Sequence, residues 1–171
     1  MQGNKITFFD SYWYCFSNST AMLLSSVGED ISPRVLEVLS GVGLGATISQ
    51  GGLPLFSGLT GEPDNGITKA LEILGFEFEE RASEKPGSPP FDELEKVLKD
   101  SPAIIGPLDM QYLVYNPGRP NFEGVDHFVL VYRIAGDKVF LHDPAGYAHV
   151  SIGKDDLEKA WRAESIVYRR G

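Results

Sequence analysis

The sequence predicts an α+β protein, with helices in the first half and a mostly antiparallel sheet in the second. Three observations carry this. "CFSNSTAMLLSS" and "NGITKALEILG", both in the first half, space their apolar residues as helices do. After residue 100, short apolar runs such as "PAIIGPLD", "HFVLVYRI" and "KVFLHDP" alternate with turn-forming residues, as strands do. The strand runs follow the helical runs instead of alternating with them, which separates α+β from α/β.

Taken in order, "KITFF" is an extended lead-in ending near Asp10. A helix starts around Cys15 and runs to Ser26, with Gly28 beyond its end and Asp10, Ser11 or Ser17 as candidate N-caps. Ala21 to Leu24 are apolar without a polar break, which predicts a helix buried on more than one side. "DISPRVLEVLSG" is a short helix, capped by Ser32 with Pro33 at its first position. The glycine-rich "GVGLGATISQGGLPLFSGLTGEPDNG" reads as an irregular surface excursion. "NGITKALEILG" turns Ile67, Ala70, Leu71 and Leu74 to one face and stops at Gly75. "FEFEE" alternates and reads as a strand with one wet face, and "KPGSPP" is a loop. "PFDELEKVLKD" is an amphipathic helix with Phe91, Leu94, Val97 and Leu98 inward. "PAIIGPLD" is a buried strand, and "MQYLVYNPGRPNFEGVD" is a loop. "HFVLVYRI" and "KVFLHDP" make a hairpin around "AGD", "SIGKDDLEKAWR" is a helix, and "ESIVYR" is a closing strand. No repeat or long linker interrupts the 171 residues, so the expectation is one domain spanning 1–171.

The formal net charge is −9, with no basic run beyond Arg169-Arg170, which argues against nucleic acid and anionic membranes as partners. No apolar run reaches the ~20 residues that span a bilayer. "MQGNKITFFDSYWYC" has no basic region followed by an apolar core, so no secretory signal is read there. The single cysteine suits a reducing interior, and a cytoplasmic location is the expectation. Oligomeric state is left open. "GVGLGA" follows a helix and lacks the G-x-G-x-x-G spacing, and no P-loop lysine follows it, so a nucleotide cofactor is not expected. One cysteine and three histidines on unplaced segments make no metal site; no cofactor is called for.

The chemistry-bearing residues are Cys15, His127, His142 and His149. A thiol attacks carbonyls as the thiolate, which a helix N-terminus and a nearby histidine both favour. On its own, a cysteine in a helix is more often inert packing, and a histidine among apolar strand residues more often a satisfied core group. Strand parity selects among the histidines. His127 shares a face with Val129 and Val131, and Asp143 shares one with Val139 and Leu141, while His142 points the other way. A three-residue loop, Ala135 to Asp137, puts Val129 opposite Asp143 and brings His127 and Asp143 to one face. A two-residue turn puts them on opposite faces. Asp143-Pro144 also reads as a turn initiator. His142 and His149 read as peripheral.

Cys15 opening "CFSNSTAMLLSSVGEDIS", followed by "GLGA", "GPLDMQYLVYNPG", "DHFVLVYRIAGDKVFLHDPAG" and "DDLEKAW", resembles the papain-like fold. The likeness is to the C39-like cysteine peptidases and, closer, to the N-terminal domain of the butirosin biosynthesis protein H family. "DMQYL", Asp109 to Leu113, resembles that family's "D-x-x-Y-L" segment ahead of a histidine-led strand. The resemblance implies a nucleophile at a helix N-terminus, packed on a mostly antiparallel sheet. It makes Cys15 the nucleophile that forms a thioester, His127 the base and then acid, and Asp143 the group that orients His127. One departure stands out: where such peptidases carry an oxyanion-hole glutamine six residues before the cysteine, this chain has Phe9, and Gln2 is too far upstream. The Cys15 N–H remains, with Asn18 or Tyr12 as candidate second donors. Asp109, Tyr112, Tyr115 and Trp13 are substrate-contact candidates, Asp109 equally a loop cap, and such aromatics more often core or cleft-wall packing. The implied activity is acyl transfer or amide hydrolysis on a peptide or acyl-thioester substrate, the latter delivered by an acyl carrier protein. The alternative is a catalytically inactive relative acting as a binding or regulatory module.

Overall fold

The structure, a computed structural model, describes residues 5–11, 14–41, 46–48, 54–56, 65–81, 91–161 and 163. Three helices come first: α1 (Cys15–Ser26), α2 (Pro33–Leu39) and α3 (Asn65–Ile73), with a two-stranded antiparallel ribbon, β1 (Ala46–Ile48) and β2 (Pro54–Phe56), between the last two. Helix α4 (Phe91–Val97) leads into a four-stranded antiparallel sheet of β3 (Ala103–Asp109), β4 (Asp126–Ala135), β5 (Lys138–Asp143) and β6 (Tyr147–Gly153) in spatial order β3-β4-β5-β6. Helix α5 (Lys154–Trp161) follows directly. The architecture is α+β, as the order of helical and strand runs requires.

Helix α1 is buried well beyond its apolar stretch. Ser17, Asn18, Ser19 and Thr20 are buried along with Ala21, Met22 and Leu24. The polar groups tolerate this because they bond locally. Ser17 Oγ donates to the Tyr14 carbonyl at 3.1 Å and Thr20 Oγ1 to Phe16 at 2.8 Å, each back along the helix. Ser19 Oγ donates across to the Phe128 carbonyl at 3.2 Å, and the Phe16 ring stacks on Phe128 with centroids 4.4 Å apart. These two contacts fix α1 on β4. The helix ends in a Schellman turn: Gly28 N–H donates to Ser25 O and Glu29 N–H to Leu24 O, with Gly28 at φ 94°. Gly75 closes α3 in the same way, through Gly75 N–H to Glu72 O and Phe76 N–H to Leu71 O. Ser32 caps α2 by accepting from Arg34 N–H, ahead of Pro33.

Two hydrophobic cores result. Ala21, Leu24, Leu36, Ile67 and Ala70 join α1, α2 and α3. Phe91, Leu94, Leu157 and Ala160 of α4 and α5 pack with Ile105, Leu108, Val129, Val131, Val139, Leu141 and Ile152 of the sheet. Each fully buried aliphatic side chain contributes about 1.5–3 kcal/mol.

Several elements differ from expectation. The N-cap of α1 is Tyr14, with no side-chain cap; Asp10 and Ser11 lie upstream, and Ser17 is inside the helix. The glycine-rich excursion contains β1 and β2, because a short extended ribbon needs only two facing segments and carries no apolar periodicity. "FEFEE" joins no ladder: alternation licenses a strand only where a partner strand supplies backbone hydrogen bonds. "SIG" belongs to β6, and α5 starts only at Lys154. β6 is the last strand of the described sheet, and only Ile152 among its residues is buried, so no hydrophobic alternation marks it. The loop after β3 carries short 3₁₀ turns at Met110–Tyr112 and Arg119–Asn121. The expected closing strand at 164–169 lies outside the described residues, as does most of the glycine-rich excursion. No helix among the described residues is long and apolar enough to cross a membrane.

The β4–β5 hairpin corrects one expectation and preserves its consequence. Its loop has two residues, with Ala135 opposite Lys138 and Gly136 at φ 62° at the first turn position. By itself this even loop would place His127 and Asp143 on opposite faces. The register shifts between Val131 and Arg133, however: Arg133 faces Phe140 whereas Val131 faces Leu141. Tyr132 is thus a bulge, one extra residue in β4, and it restores the odd register beyond it. Leu130 faces His142, so Val129 stands opposite Asp143.

Candidate active site

His127 is the second residue of β4 and Asp143 the last of β5, so antiparallel pairing brings them to the same end of the sheet. His127 Nε2 lies 2.5 Å from Asp143 Oδ1, with the residues only 1% and 0% exposed. Beside them stands Cys15, the first residue of α1, half-buried and free. The segment entering α1 is tied to this end: Ser11 N–H donates to the Pro144 carbonyl, immediately after Asp143, at 3.0 Å. Asp143 occupies Nε2, which leaves Nδ1 as the ring nitrogen facing the Cys15 sulfur.

Burial works against a charge on His127. The negative charge of Asp143, the neighbouring Cys15 and the hydrogen bonds to both outweigh it, and the imidazole is pushed up to about 10. His127 is therefore an imidazolium across the neutral range. The Tyr14 side chain does not cap α1, whose first residue is Cys15, so the sulfur sits at the positive end of the helix dipole.

Asp143 is held by three donors. Oδ1 accepts from Ala145 N–H at 2.7 Å as well as from His127, and Oδ2 accepts from the Tyr115 hydroxyl at 2.8 Å. The bond to Ala145 is the turn expected of Asp-Pro, so Asp143 is a turn initiator and the histidine's partner at once. Burial, reinforced by the charge of Asp143, raises Tyr115 well above its usual range and keeps its hydroxyl a donor.

The remaining candidates divide. Asn18 is 2% exposed, and its Nδ2 donates to the Tyr14 carbonyl at 2.7 Å, one turn inside α1. Asp109 is fully buried and accepts from Gln111 N–H, Gln111 Nε2 and Gly124 N–H at 2.9, 2.9 and 3.0 Å. Of its two open roles, loop cap is the one these bonds describe: they close the 110–125 loop that carries Tyr115. Tyr112 is half-buried against the sheet core. Tyr12 and Trp13 lie outside the described residues. Sequence reasoning placed Tyr115 in a substrate wall and missed its bond to Asp143, for which residues 28 apart carry no local signal.

His142 faces away from Asp143 and is buried. Its Nδ1 accepts from His149 N–H at 3.2 Å, and its ring contacts those of Phe8, Tyr132 and His149. Burial first, then the nearby His149, push it down to about 4, so it is neutral. Among the described residues no group of three or more His, Cys, Asp or Glu is placed to hold a metal ion.

The chain is 47% identical over 158 residues to the uncharacterized protein YobF of Bacillus subtilis (strain 168). The alignment covers 92% of this chain and 51% of that protein, so the chain spans about half the length of this curated relative. No solved structure matches the chain. Residues 96–171 match the Peptidase C39 family, a stretch that holds His127 and Asp143 and begins after Cys15. The second, sheet-bearing part of the chain is thus similar to the C39 peptidases.

Proposed function

We propose that this protein is a cysteine-dependent acyl-transfer enzyme working through a thioester on Cys15. The observation that carries the reading is the buried His127–Asp143 pair, 2.5 Å apart, at the N-terminus of a helix whose first residue is the chain's one cysteine. His127 holds the proton that Cys15 has given up. The sulfur attacks the substrate carbonyl carbon, forming the S–C bond, and negative charge collects on the carbonyl oxygen. The first-turn N–H groups of α1 face that charge. The C–N or C–S bond to the leaving group then breaks as Nδ1 delivers its proton to the departing amine or thiol. Water or an acceptor amine attacks the thioester and passes a proton back to Nδ1. The S–C bond breaks, and the thiolate–imidazolium pair is restored. Asp143 orients the ring and carries its counter-charge throughout.

Phe9 at the position of the usual glutamine favours an activated acyl thioester over an unactivated peptide, because losing one oxyanion donor costs about 10²–10³ in rate. The same Phe9 also favours a second reading, a binding or regulatory module that keeps the shape without the chemistry. Intact mass spectrometry separates the two. Incubation with a short acyl thioester adds one acyl mass to the wild type and none to Cys15→Ala; a peptide panel run alongside reports amide hydrolysis. If no adduct forms and no peptide is cut, the binding-module reading takes its place.

A further inference from the structure

Asp143 is a carboxylate without solvent, and its oxygens are chemically equivalent. Rotation about its Cβ–Cγ bond is broad and two-fold, so rotamer preference alone does not fix the plane in which it meets the imidazole. Two donors on Oδ1, His127 and Ala145, leave the position of Oδ2 to whatever lies beyond it. Tyr115 lies there, at 2.8 Å. Its ring is itself fixed: it meets Tyr147 edge to face with centroids 5.6 Å apart. The Tyr147 hydroxyl donates to Asn116 Oδ1 at 3.2 Å, and that same buried oxygen accepts from Gly118 N–H at 2.9 Å. Asn116 N–H donates to Leu113 O at 2.8 Å, in a loop that Asp109 closes from the other end.

We infer that Tyr115 is a positioning residue for the acyl-transfer site, fixing the plane of the Asp143 carboxylate so that His127 stays aimed at Cys15. This rests on the acyl-transfer reading. Tyr115 touches neither the sulfur nor the ring; it acts through Asp143. The catalytic line is then four residues long, Tyr115–Asp143–His127–Cys15, and the 110–125 loop is its anchor.

The test is Tyr115→Phe, which keeps the ring and its contact with Tyr147 and removes one hydroxyl. Proton and nitrogen NMR read His127 directly. The expected results are faster solvent exchange of the His127 Nε2 proton and a downward move of the ring's titration from near 10 by about half to one unit, threefold to tenfold in the equilibrium. Iodoacetamide alkylation of Cys15 at pH 7 slows by up to the same factor. An unchanged Nε2 resonance and an unchanged titration overturn the inference. Because NMR reads the imidazole whether or not the thiol reacts, an inert Cys15 in the wild type sinks the acyl-transfer reading and still leaves Tyr115 decided. If Tyr115→Phe does not fold, the wild type carries the test. A hydroxyl proton bound to Asp143 exchanges slowly and appears downfield; one exchanging like free tyrosine overturns the inference.

Discussion

Replacing Asp143 by Ala and by Asn gives two different losses, and the structure says how different. Ala removes the acceptor of three donors at once: His127 Nε2–H, Ala145 N–H and the Tyr115 hydroxyl. It also leaves the His127 imidazolium buried without its counter-charge. Breaking a buried pair from one side costs about 3–5 kcal/mol, out of a total stability of about 5–15 kcal/mol. At about 2–4 °C per kcal/mol for a domain of this size, the melting temperature falls by roughly 10–15 °C. Asn keeps the geometry. Its amide oxygen takes the Oδ1 place and accepts from His127 and Ala145; its NH₂ takes the Oδ2 place and donates to Tyr115, whose hydroxyl turns round to accept. Only the charge is gone, and the melting temperature falls by about 2–4 °C, a loss of ~1 kcal/mol. The chemistry suffers more, because burial is then offset by Cys15 alone and His127 gives up its proton more readily. Alkylation of Cys15 at pH 6 slows at least about tenfold in Asp143→Asn, the factor for one unit. Calorimetry and timed intact-mass alkylation read both quantities. Equal melting temperatures for the two variants would refute the three-donor argument, and wild-type alkylation in Asp143→Asn would refute the charge argument.

Other residues carry predictions of their own. A Cβ at Gly106 would clash with Phe128 Cδ1 and stand 2.8 Å from the His127 carbonyl oxygen. Gly106→Ala therefore forces Phe128 against Phe16 and costs about 1–3 kcal/mol, read as a lower denaturation midpoint with an unchanged slope. His127, raised from 6.5 to about 10, stabilises the fold fully below pH 6.5, and that contribution is lost as pH climbs through 10. His127→Gln should flatten the alkaline decline of melting temperature over that window. His142 works in the other direction: held down at about 4, it makes the unfolded chain the better proton binder between pH 6.5 and 4. Stability therefore falls as pH drops through that window, and His142→Asn, which keeps an acceptor for His149 N–H, should remove part of the fall. Ser19→Ala deletes the bond from α1 to the Phe128 carbonyl and lowers stability by about 1 kcal/mol, measurable by urea denaturation.

The helix ends were legible because their causes are local. Gly28, Gly75 and the Ser32-Pro33 pair satisfy or replace orphan backbone groups within a few residues, and the chain shows them directly. The strand "FEFEE" failed for the opposite reason: a ladder is made by its partner, which alternation does not supply. β6 was hidden because only Ile152 among its residues is buried, which leaves no hydrophobic alternation. At the site, the facing of His127 and Asp143 was reached through an odd loop, whereas the chain uses an even loop and a bulge at Tyr132. Parity was the readable quantity; the device that sets it was not, because a bulge adds one residue without a composition of its own. The bond from Tyr115 to Asp143 had no signal in the sequence, since Tyr115 lies inside the loop 110–125 and is placed by that loop's own turns, Asp109's closure chief among them.

The most direct test of the central claim is the rate of Cys15 alkylation by iodoacetamide against pH, read by intact mass, for the wild type and His127→Ala. The chain has one cysteine, so every adduct reports that site. A free thiol, ionising near 8.5, reacts slowly at pH 6. The account predicts that the wild type reacts readily at pH 6 and that His127→Ala slows this by tenfold or more while the two converge above pH 9. Matching profiles for the two proteins at every pH would contradict it, and would leave the site with the shape of a thiol enzyme and none of its chemistry.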